Sequence, residues 1–449
     1  MTSRYIEIRP DNVPGNGKSI SFKNGFPVLS FTISAQDGLL DPASIRIVGS
    51  FSAFSDNLQP TPTPLLDGDN VTMSNRLGIY NVFESLTVRA VKSKMIVESI
   101  RHYSKFMNSY LAMTSSLQDQ VGHFGQTALI CPNSKTFRQS VMESTASDKP
   151  RSNSFSAHVP CGFAQSGQMI NLRPDAFGGV QIEFLLQPDA NVLYSETGVT
   201  TGVTESHYDL SDLKLTCEVS DIPAGDLTGN ESTGVYEFNT VTSLYTSINS
   251  TNAQIQYSLA LRNVLSAFLT FMPVTNINTL TADGQATTYP SGTGPTTIDS
   301  LAPIRRVSFL KGGTKFPAEF DYVNNVENDT STAEMTLPDP QILYSFKEAI
   351  TPEYAHDRFS VSPVNANRSY NMATTTTDPQ SYNVVADGGA VMGLGVKYGL
   401  GGAGEDFSHE QWGVSIESDL KADNPMGVYI FVKSRTQVAF SPNGVQIVQ

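Results

Sequence analysis

Two glycine-containing motifs have a spacing close to that of nucleotide-binding loops. Gly15-Asn16-Gly17-Lys18-Ser19 has the ending of a phosphate-binding loop, but that loop needs a glycine at position 12, where this chain has Asn. The run 393–399 (GLGVKYG) misses the dinucleotide fingerprint by one residue, and no strand-helix-strand pattern surrounds it. The sequence therefore predicts a turn at 15–19 that opens the first strand, and a closely packed glycine-rich strand or loop over 388–404.

The histidines are too widely dispersed to form a recognisable metal motif. No two of them lie within five residues of each other, so the paired-histidine pattern of a zinc enzyme is absent from His102, His123, His158, His207, His356 and His409. Asp406, His409 and Glu410 come nearest to a metal cluster, and we interpret them as solvated loop residues. The sequence predicts no metal site and no cofactor. A structural calcium ion between acidic groups of two subunits stays open.

The nucleophiles and acids also lack a catalytic pattern. Cys131, Cys161 and Cys217 are an odd number of widely spaced cysteines, which predicts free thiols in a reducing compartment. No Gly-x-Ser-x-Gly motif occurs. Among 43 acidic residues some carboxylates will lie close together in any fold, so such a pair is not evidence of a glycosidase site. We expect no catalytic residue, and therefore no enzyme.

Composition places the chain among β-rich globular proteins. Of the 449 residues, 39% are hydrophobic and 16% charged, which excludes a disordered chain. The net charge of −14 disfavours direct binding to nucleic acid or to anionic lipid. No apolar segment follows the N-terminus and no apolar run reaches 18 residues, so we expect neither a secretory signal nor a membrane-spanning helix. A cytosol-like space is the expected site of synthesis.

The elements that must position these residues are mostly strands. Apolar and polar residues alternate over 29–34, 180–186, 213–219 and 255–259, as half-buried strands require. Two helices are predicted. The first covers 98–113, with an apolar face of Ile100, Tyr103, Phe106, Met107 and Tyr110, and with Arg101, His102, Lys105 and Asn108 on the other face. The second covers Pro340–Ile350 and begins after Asp339.

A polar segment near the middle of the chain divides the strands into two series. This division predicts a first domain at 18–220, a linker at 221–234 and a second domain at 235–449. Residues 1–17, before the first domain, are expected to form an N-terminal arm. The stretch from Asn81 to Thr87 is similar to that from Asn263 to Leu269, which favours a duplicated β-domain. Long polar segments at 121–155, 274–302, 323–338 and 351–384 are expected to pack on one another or on a neighbouring subunit.

The order of these pieces resembles the double jelly-roll major capsid proteins of double-stranded DNA viruses, of the polinton-like virus, virophage and nucleocytoplasmic large DNA virus type. The first half carries the resemblance at 80–88 (YNVFESLTV), 99–111, 155–160 (FSAHVP), 171–174 (NLRP), 180–184 (VQIEF) and 208–219 (YDLSDLKLTCEV). The second half carries it at 312–320 (GGTKFPAEF), 424–431, 437–440 and 444–448.

The resemblance implies an all-β fold of two consecutive eight-stranded jelly rolls, with a few short helices and long loops. It also implies a homotrimer that forms a pseudo-hexagonal block and tiles an icosahedral shell. The expected location is the virion, after synthesis in the host cytosol or a viral factory. Its partners would be copies of itself, neighbouring capsomers, and minor capsid and penton proteins. Sequence-specific nucleic-acid binding is not expected, and contact with an internal membrane stays open.

Two other functions fit a β-rich chain of this size. One is a carbohydrate-binding or adhesive β-sandwich protein, and the other is a β-sandwich glycoside hydrolase. The single tryptophan, Trp412, counts against both, because sugar-binding platforms favour several exposed aromatic residues.

Overall fold

The computed structural model of the chain describes residues 3–13, 20–21, 27–56, 62–115, 117–131, 134–195, 205–221, 233–279, 288–290, 297–299, 304–317, 321–323, 340–350, 393–398, 403–420 and 425–448. The motif at 15–19, His356 and most of the segment 221–234 lie outside the described residues, as do residues 324–339 and 351–392. None of the helices in the described ranges has the length and apolar character that a membrane span needs.

The first half of the chain forms two large antiparallel sheets that face each other, together with a separate two-stranded sheet. Its strands are β1 (Ser3–Ile8), β2 (Val28–Ile33), β3 (Leu39–Phe54), β4 (Val71–Met73), β5 (Phe83–Ala90), β6 (Ile96–Arg101), β7 (Ser152–His158), β8 (Ile170–Asn171), β9 (Val180–Leu186), β10 (Leu193–Ser195) and β11 (His207–Ser220). One sheet has the order β1-β11-β3-β7, with β8 also on β3, and the other has the order β2-β9-β5-β6. This is the strand order of a jelly roll.

The second half repeats this architecture. Its strands are β12 (Gly234–Ile248), β13 (Asn252–Tyr257), β14 (Val264–Pro273), β15 (Thr288–Pro290), β16 (Thr297–Asp299), β17 (Ile304–Lys311), β18 (Thr314–Lys315), β19 (Tyr322–Val323), β20 (Gly393–Lys397), β21 (Trp412–Ser418), β22 (Met426–Ser441) and β23 (Gly444–Val448). The sheets have the orders β12-β22-β14-β20 and β13-β21-β17-β18, with β23 on β22 and β19 on β17. The predicted fold class, all-β with two consecutive jelly rolls, is confirmed.

The two jelly rolls do not share a sheet in the described part of the chain. Every described sheet takes its strands from only one side of residues 222–232. The predicted arm at 1–17 needs a correction, because β1 pairs with β11 from Ser3↔Ser220 to Ile8↔Leu215. These six residues are an edge strand of the first jelly roll, which the sequence analysis missed because their alternation is short and mostly exposed.

The two Asn-containing stretches are not equivalent and so are not evidence of a duplicated domain. Asn81 precedes β5, which lies between β9 and β6 in the second sheet of the first jelly roll. Asn263 precedes β14, which lies between β22 and β20 in the first sheet of the second jelly roll. The two stretches therefore occupy non-equivalent strands, and their similarity reflects only that both lead from a turn into a buried strand.

The helices lie between and beside the sheets. They are α1 (Tyr103–Thr114), α2 (Leu117–Val121), α3 (His123–Thr127), α4 (Ser134–Phe137), α5 (Asp189–Val192) and α6 (Pro340–Ile350). The bounds predicted for α6 are confirmed. The helix predicted over 98–113 starts too early, because 96–101 pair with β5 as strand β6. His102 then turns the chain with a φ of 54°. The segment 121–155 was expected to be a polar loop, yet it contains two of the short helices.

Helix α1 is covered on more than one side. Tyr103 and Met107 are buried as predicted, but Lys105 and Asn108, which were expected on a solvent face, are buried as well. On the side of the second jelly roll, Phe106 contacts Phe268 of β14 and Phe431 of β22. On the same side, Nζ of Lys105 lies 5.7 Å from the centroid of the Tyr429 ring. Helix α1 therefore lies between the two jelly rolls.

Candidate functional site

The glycine-rich run that begins at Gly393 is a packing element. It forms β20 beside α6, and a Cβ atom on Gly395 would lie 2.4 Å from Cβ of Ala349. A Cβ atom on Gly393 would lie 2.3 Å from the carbonyl oxygen of Leu269. These glycines let the strand and the helix approach closely, in agreement with the interpretation made from the sequence.

Asp406, His409 and Glu410 lie together on an exposed loop. Asp406 is exposed, and the hydroxyl and backbone N–H of Ser408 lower the pKa of its carboxyl. His409 and Glu410 are exposed beside it. Within the described ranges, no group of three His, Cys, Asp or Glu residues is placed to hold a metal ion.

The three cysteines are free thiols. Cys217 lies in the core of the first jelly roll, where burial raises the pKa of its thiol to about 11. Cys161 is buried in the turn after β7. Cys131 follows α3 and is only half-buried.

The structure brings polar groups together mainly where the two jelly rolls meet. Strand β6 is an edge of the first jelly roll and β12 is an edge of the second. Free strand edges expose unpaired N–H and C=O groups, which invite pairing with another chain. Here side chains occupy the gap between the two edges. The hydroxyl of Ser243 on β12 accepts the backbone N–H of Arg101 on β6 at 2.8 Å.

Glu98 of β6 makes the central contact of this junction. Its Oε1 accepts the N–H of Gly162 at 3.0 Å and that of Val241 at 3.4 Å, and its Oε2 accepts the N–H of Phe163 at 2.8 Å. Val241 belongs to β12, whereas Gly162 and Phe163 belong to the turn after β7. One carboxyl group therefore bonds to the backbone of both jelly rolls.

Gly162 brings the two backbones into close contact. A Cβ atom at this position would lie only 1.7 Å from the carbonyl oxygen of Asn239 in β12. Phe163 then packs edge-on against Phe238 of the same strand, with 6.0 Å between the ring centroids. The turn after β7 thus touches β12 through both backbone and aromatic contacts.

An aromatic layer continues the junction around α1. The ring centroids of Phe106 and Phe431 are 5.8 Å apart, and those of Phe268 and Phe431 are 5.0 Å apart. His102 contacts Tyr245 and Tyr429 of the second jelly roll, and its Nδ1 lies 2.9 Å from Oε1 of Glu84. The hydrophobic core of the first jelly roll therefore runs without a break onto the outer face of the β12–β22–β14 sheet.

Tyr236 makes a further polar contact between the jelly rolls. Its hydroxyl oxygen accepts the N–H of Asn171 in β8 at 2.7 Å, and its ring stacks on Phe440 with centroids 4.7 Å apart. Burial raises the pKa of this hydroxyl to about 12, so it stays protonated at neutral pH. The contact ties β12 to the first jelly roll at a second place.

Replacing Tyr236 with phenylalanine should cost about 1–3 kcal/mol of unfolding free energy, because the buried N–H of Asn171 loses this acceptor. Urea denaturation followed by circular dichroism measures the change. Tyr257→Phe is the matched control, since Tyr257 is half-buried and water can replace its hydroxyl at the carbonyl oxygen of Tyr245. Equal losses in the two variants would contradict a special role for Tyr236.

A cleft opens beside the junction. Its volume is about 230 Å³, and its floor includes Phe106, Phe238 and Phe268. Glu237 and Arg435 line it and form an ion pair, with Nε 3.3 Å from Oε1. Lys433 also lines the cleft, so its described lining carries two cations and one anion.

Sequence reasoning did not find the junction. Glu98 was placed in the first turn of a helix, and the turn after β7 carried no recognised motif. One signal for the junction was present in the sequence. Glu98 lies within the apolar segment 96–100 (IVESI), and a charged side chain that is buried needs a partner. The partners are backbone N–H groups, which no sequence pattern identifies.

Comparison of the chain with solved structures shows which known proteins have a similar architecture. VP54 of PBCV-1, fitted into a cryo-EM reconstruction of the virophage Sputnik, matches with a TM-score of 0.54 and 10% identity, over 100% of this chain and 96% of that chain. The major capsid protein of Faustovirus matches with a TM-score of 0.53 and 9% identity, over 98% and 90%. That of mavirus matches with a TM-score of 0.51 and 11% identity, over 99% and 90%.

The chain has the double jelly-roll fold of viral major capsid proteins. The suspected resemblance is thus confirmed at the level of the fold. No protein-family model matches the chain, and no curated protein matches it in sequence. Identities near 10% explain why the match appears in the comparison with solved structures and not in the comparisons with family models and curated sequences.

The single tryptophan lies inside this double jelly roll. Trp412 is fully buried in the core of the second jelly roll, and its indole N–H donates to the hydroxyl of Tyr398 at 2.9 Å. It therefore does not form an exposed platform for a sugar. Its position makes it a fluorescent reporter of the second jelly roll.

Proposed function

We propose that this chain is the major capsid protein of an icosahedral DNA virus. Three copies would place six jelly rolls in a pseudo-hexagonal block, and these blocks would tile the shell. The observation that carries the proposal is the match to viral major capsid proteins over nearly the whole length of both chains. A match of this extent includes both jelly rolls.

The junction supports this function physically. A pseudo-hexagonal block requires both jelly rolls of a chain to keep one relative orientation. The Glu98 contacts, the Gly162 approach and the Phe106 layer hold β12 and β22 against the first jelly roll. A continuous buried core between two domains favours one rigid body over a hinge.

The expected partners follow from the same proposal. The chain would contact other copies of itself through loops and strand edges, and it would contact minor capsid and penton proteins in the shell. It would be made in the host cytosol or a viral factory and would end in the virion. We propose no catalytic role and no sequence-specific binding to nucleic acid. Neither sugar-related alternative gains a supporting observation from the described residues.

Light scattering of the purified full chain at micromolar concentration tests the assembly. We expect a species with three times the mass of one chain, which is 48.6 kDa. Blue-shifted fluorescence of Trp412 in the same sample confirms that the second jelly roll is folded. A folded species of 48.6 kDa that stays monomeric at all accessible concentrations would contradict the proposed trimer.

A further inference from the structure

Each strand edge that meets at the junction has a counterpart in the other jelly roll. The sheet orders β1-β11-β3-β7 and β12-β22-β14-β20 give β1 and β12 the same position in the fold. The orders β2-β9-β5-β6 and β13-β21-β17-β18 do the same for β6 and β18. Within the chain, β6 and β12 meet at the junction, where the N–H of Arg101 bonds to Ser243. Among the described strands, β1 and β18 are the remaining edges of these two kinds.

The correspondence extends to the segment between β20 and β21. In the first jelly roll, β8 pairs with the start of β3, and the hydroxyl of Tyr236 on β12 accepts the N–H of Asn171 in β8. In the second jelly roll, Glu405 forms a bridge with Val264 at the start of β14. Residues 403–411, which we call the 403–411 loop, therefore take the place that β8 has beside the junction.

The 403–411 loop and the β18 edge form one continuous surface. The N–H of Gly312, in the turn between β17 and β18, donates to the carbonyl oxygen of Gln411 at 2.9 Å. A Cβ atom on Gly312 would lie 2.9 Å from Oε2 of Glu410. The loop is thus fixed beside β18, just as the turn after β7 is bonded to Glu98 of β6.

Strand β1 carries an exposed aromatic residue on its outer face. Ile6 and Ile8 pack against the core of the first jelly roll, so the alternation of a strand directs Tyr5 away from that core. Tyr5 is 77% exposed. On β12, Phe238 likewise points away from its own jelly roll, and its ring packs there against Phe163 of the first one. Tyr5 is therefore the counterpart of an aromatic residue that makes a contact at the junction.

The exposed charges of β1 and of the loop are opposite. Arg4 on β1 and Arg9 directly after it are exposed. Asp406 and Glu410 are exposed on the 403–411 loop. Complementary charges of this kind steer two surfaces together and fix their register.

Other charged groups reduce this contrast without reversing it. Three ion pairs on these surfaces are formed within the chain, namely Glu7 with Lys214, Glu405 with Lys311 and Lys315 with Asp321. Glu218 lies across from Tyr5 on β11, and Arg262 is a neighbour of Asp406. The two arginines outweigh Glu218, and the two carboxylates outweigh Arg262, so the surfaces keep opposite signs.

We propose that β1 of one copy docks on the 403–411 loop and the β18 edge of a second copy, as β12 does on the first jelly roll of its own chain. The two surfaces differ and lie on different jelly rolls, so the contact is head-to-tail. A head-to-tail contact gives a closed ring when its rotation fits. The inference rests on the proposed trimer, and it names the surfaces that join three chains into a ring of six jelly rolls.

Charge reversal on each surface tests this contact, with the trimer followed by light scattering over a series of protein concentrations. Arg4→Glu with Arg9→Glu brings acidic groups to the acidic loop. It should raise the concentration at which half of the chains are trimeric by about tenfold or more. Asp406→Lys with Glu410→Lys should do the same. All four substitutions in one chain should recover most of the loss, because opposite charges then face each other again.

Lys94→Glu with Lys149→Glu is the matched control, since both lysines are exposed outside the two surfaces. It makes the same change in charge as the arginine pair, and its midpoint should equal that of the wild type. Tyr5→Ala tests the contact without a change in charge and should raise the midpoint by about tenfold. Circular dichroism confirms that each variant is folded.

The outcomes separate this contact from the trimer itself. A wild-type trimer whose midpoint is unchanged in both reversed pairs would overturn the contact and leave the proposed trimer standing. Loss of the trimer without recovery in the combined variant would also overturn it, because the two surfaces would then not face each other. A folded wild type that stays monomeric would overturn the trimer and the contact together.

Discussion

Replacing Phe106 with alanine should lower the free energy of unfolding by about 3–5 kcal/mol. The side chain is 6% exposed and lies between Tyr103 and Tyr110 of its own helix and Phe431 of the second jelly roll. Its removal leaves a cavity that neither jelly roll can fill alone, because both are held by other contacts. Urea denaturation followed by circular dichroism, at one fixed protein concentration, measures the change.

Tyr344→Ala is the matched control for this variant. Tyr344 is an aromatic residue of α6 that is 53% exposed, so its replacement should change the unfolding free energy by about 0.5 kcal/mol or less. A loss below about 1 kcal/mol in Phe106→Ala would contradict the packing of α1 between the jelly rolls. The effect would then belong to a contact outside the chain.

Gly162→Ala should also destabilise the chain strongly, by about 3 kcal/mol, which is the upper range for an overpacked site. The new Cβ atom would lie 1.7 Å from a backbone oxygen of β12, and a backbone atom cannot rotate away. The turn after β7 must move, so the N–H groups of Gly162 and Phe163 lose their bonds to Glu98. The same urea titration measures the loss.

Gly427→Ala makes the same chemical change in β22, where the nearest atom to a new Cβ is 3.2 Å away on the ring of Tyr245. That ring is 39% exposed and can shift, so this control should lose less than about 1 kcal/mol. Comparable losses in both variants would show that Gly162 is not a point of close approach between the jelly rolls.

The sequence was sufficient to predict a β-rich chain because strands with one buried face alternate visibly, whereas the two jelly rolls were predicted from the resemblance to capsid proteins. The stretch 180–186 alternates and is strand β9, and Pro340–Ile350 has helical spacing and is helix α6. The same rule fails for β14, where all ten residues from Val264 to Pro273 are buried. One face of β14 packs into the core of the second jelly roll, and the other face packs against helices α1 and α6. No polar face is left that would reveal the two-residue alternation of a strand.

The junction was not predictable for a related reason. The segment from Glu98 to Met113 has helical spacing, yet its first four residues pair with β5, and long-range pairing outweighs local preference. Glu98 was consequently assigned to a helix instead of to a strand edge. Its donors at Gly162, Phe163 and Val241 are 64, 65 and 143 residues away, and all three are backbone groups.

Electron microscopy of the purified full chain tests the central claim, that this double jelly roll builds a capsid. The account predicts particles with three-fold symmetry and a hexagonal outline, in which each chain contributes two neighbouring jelly rolls. Shells or flat arrays of such particles would extend the same result. Folded particles without three-fold symmetry, each containing a single pair of jelly rolls, would contradict it.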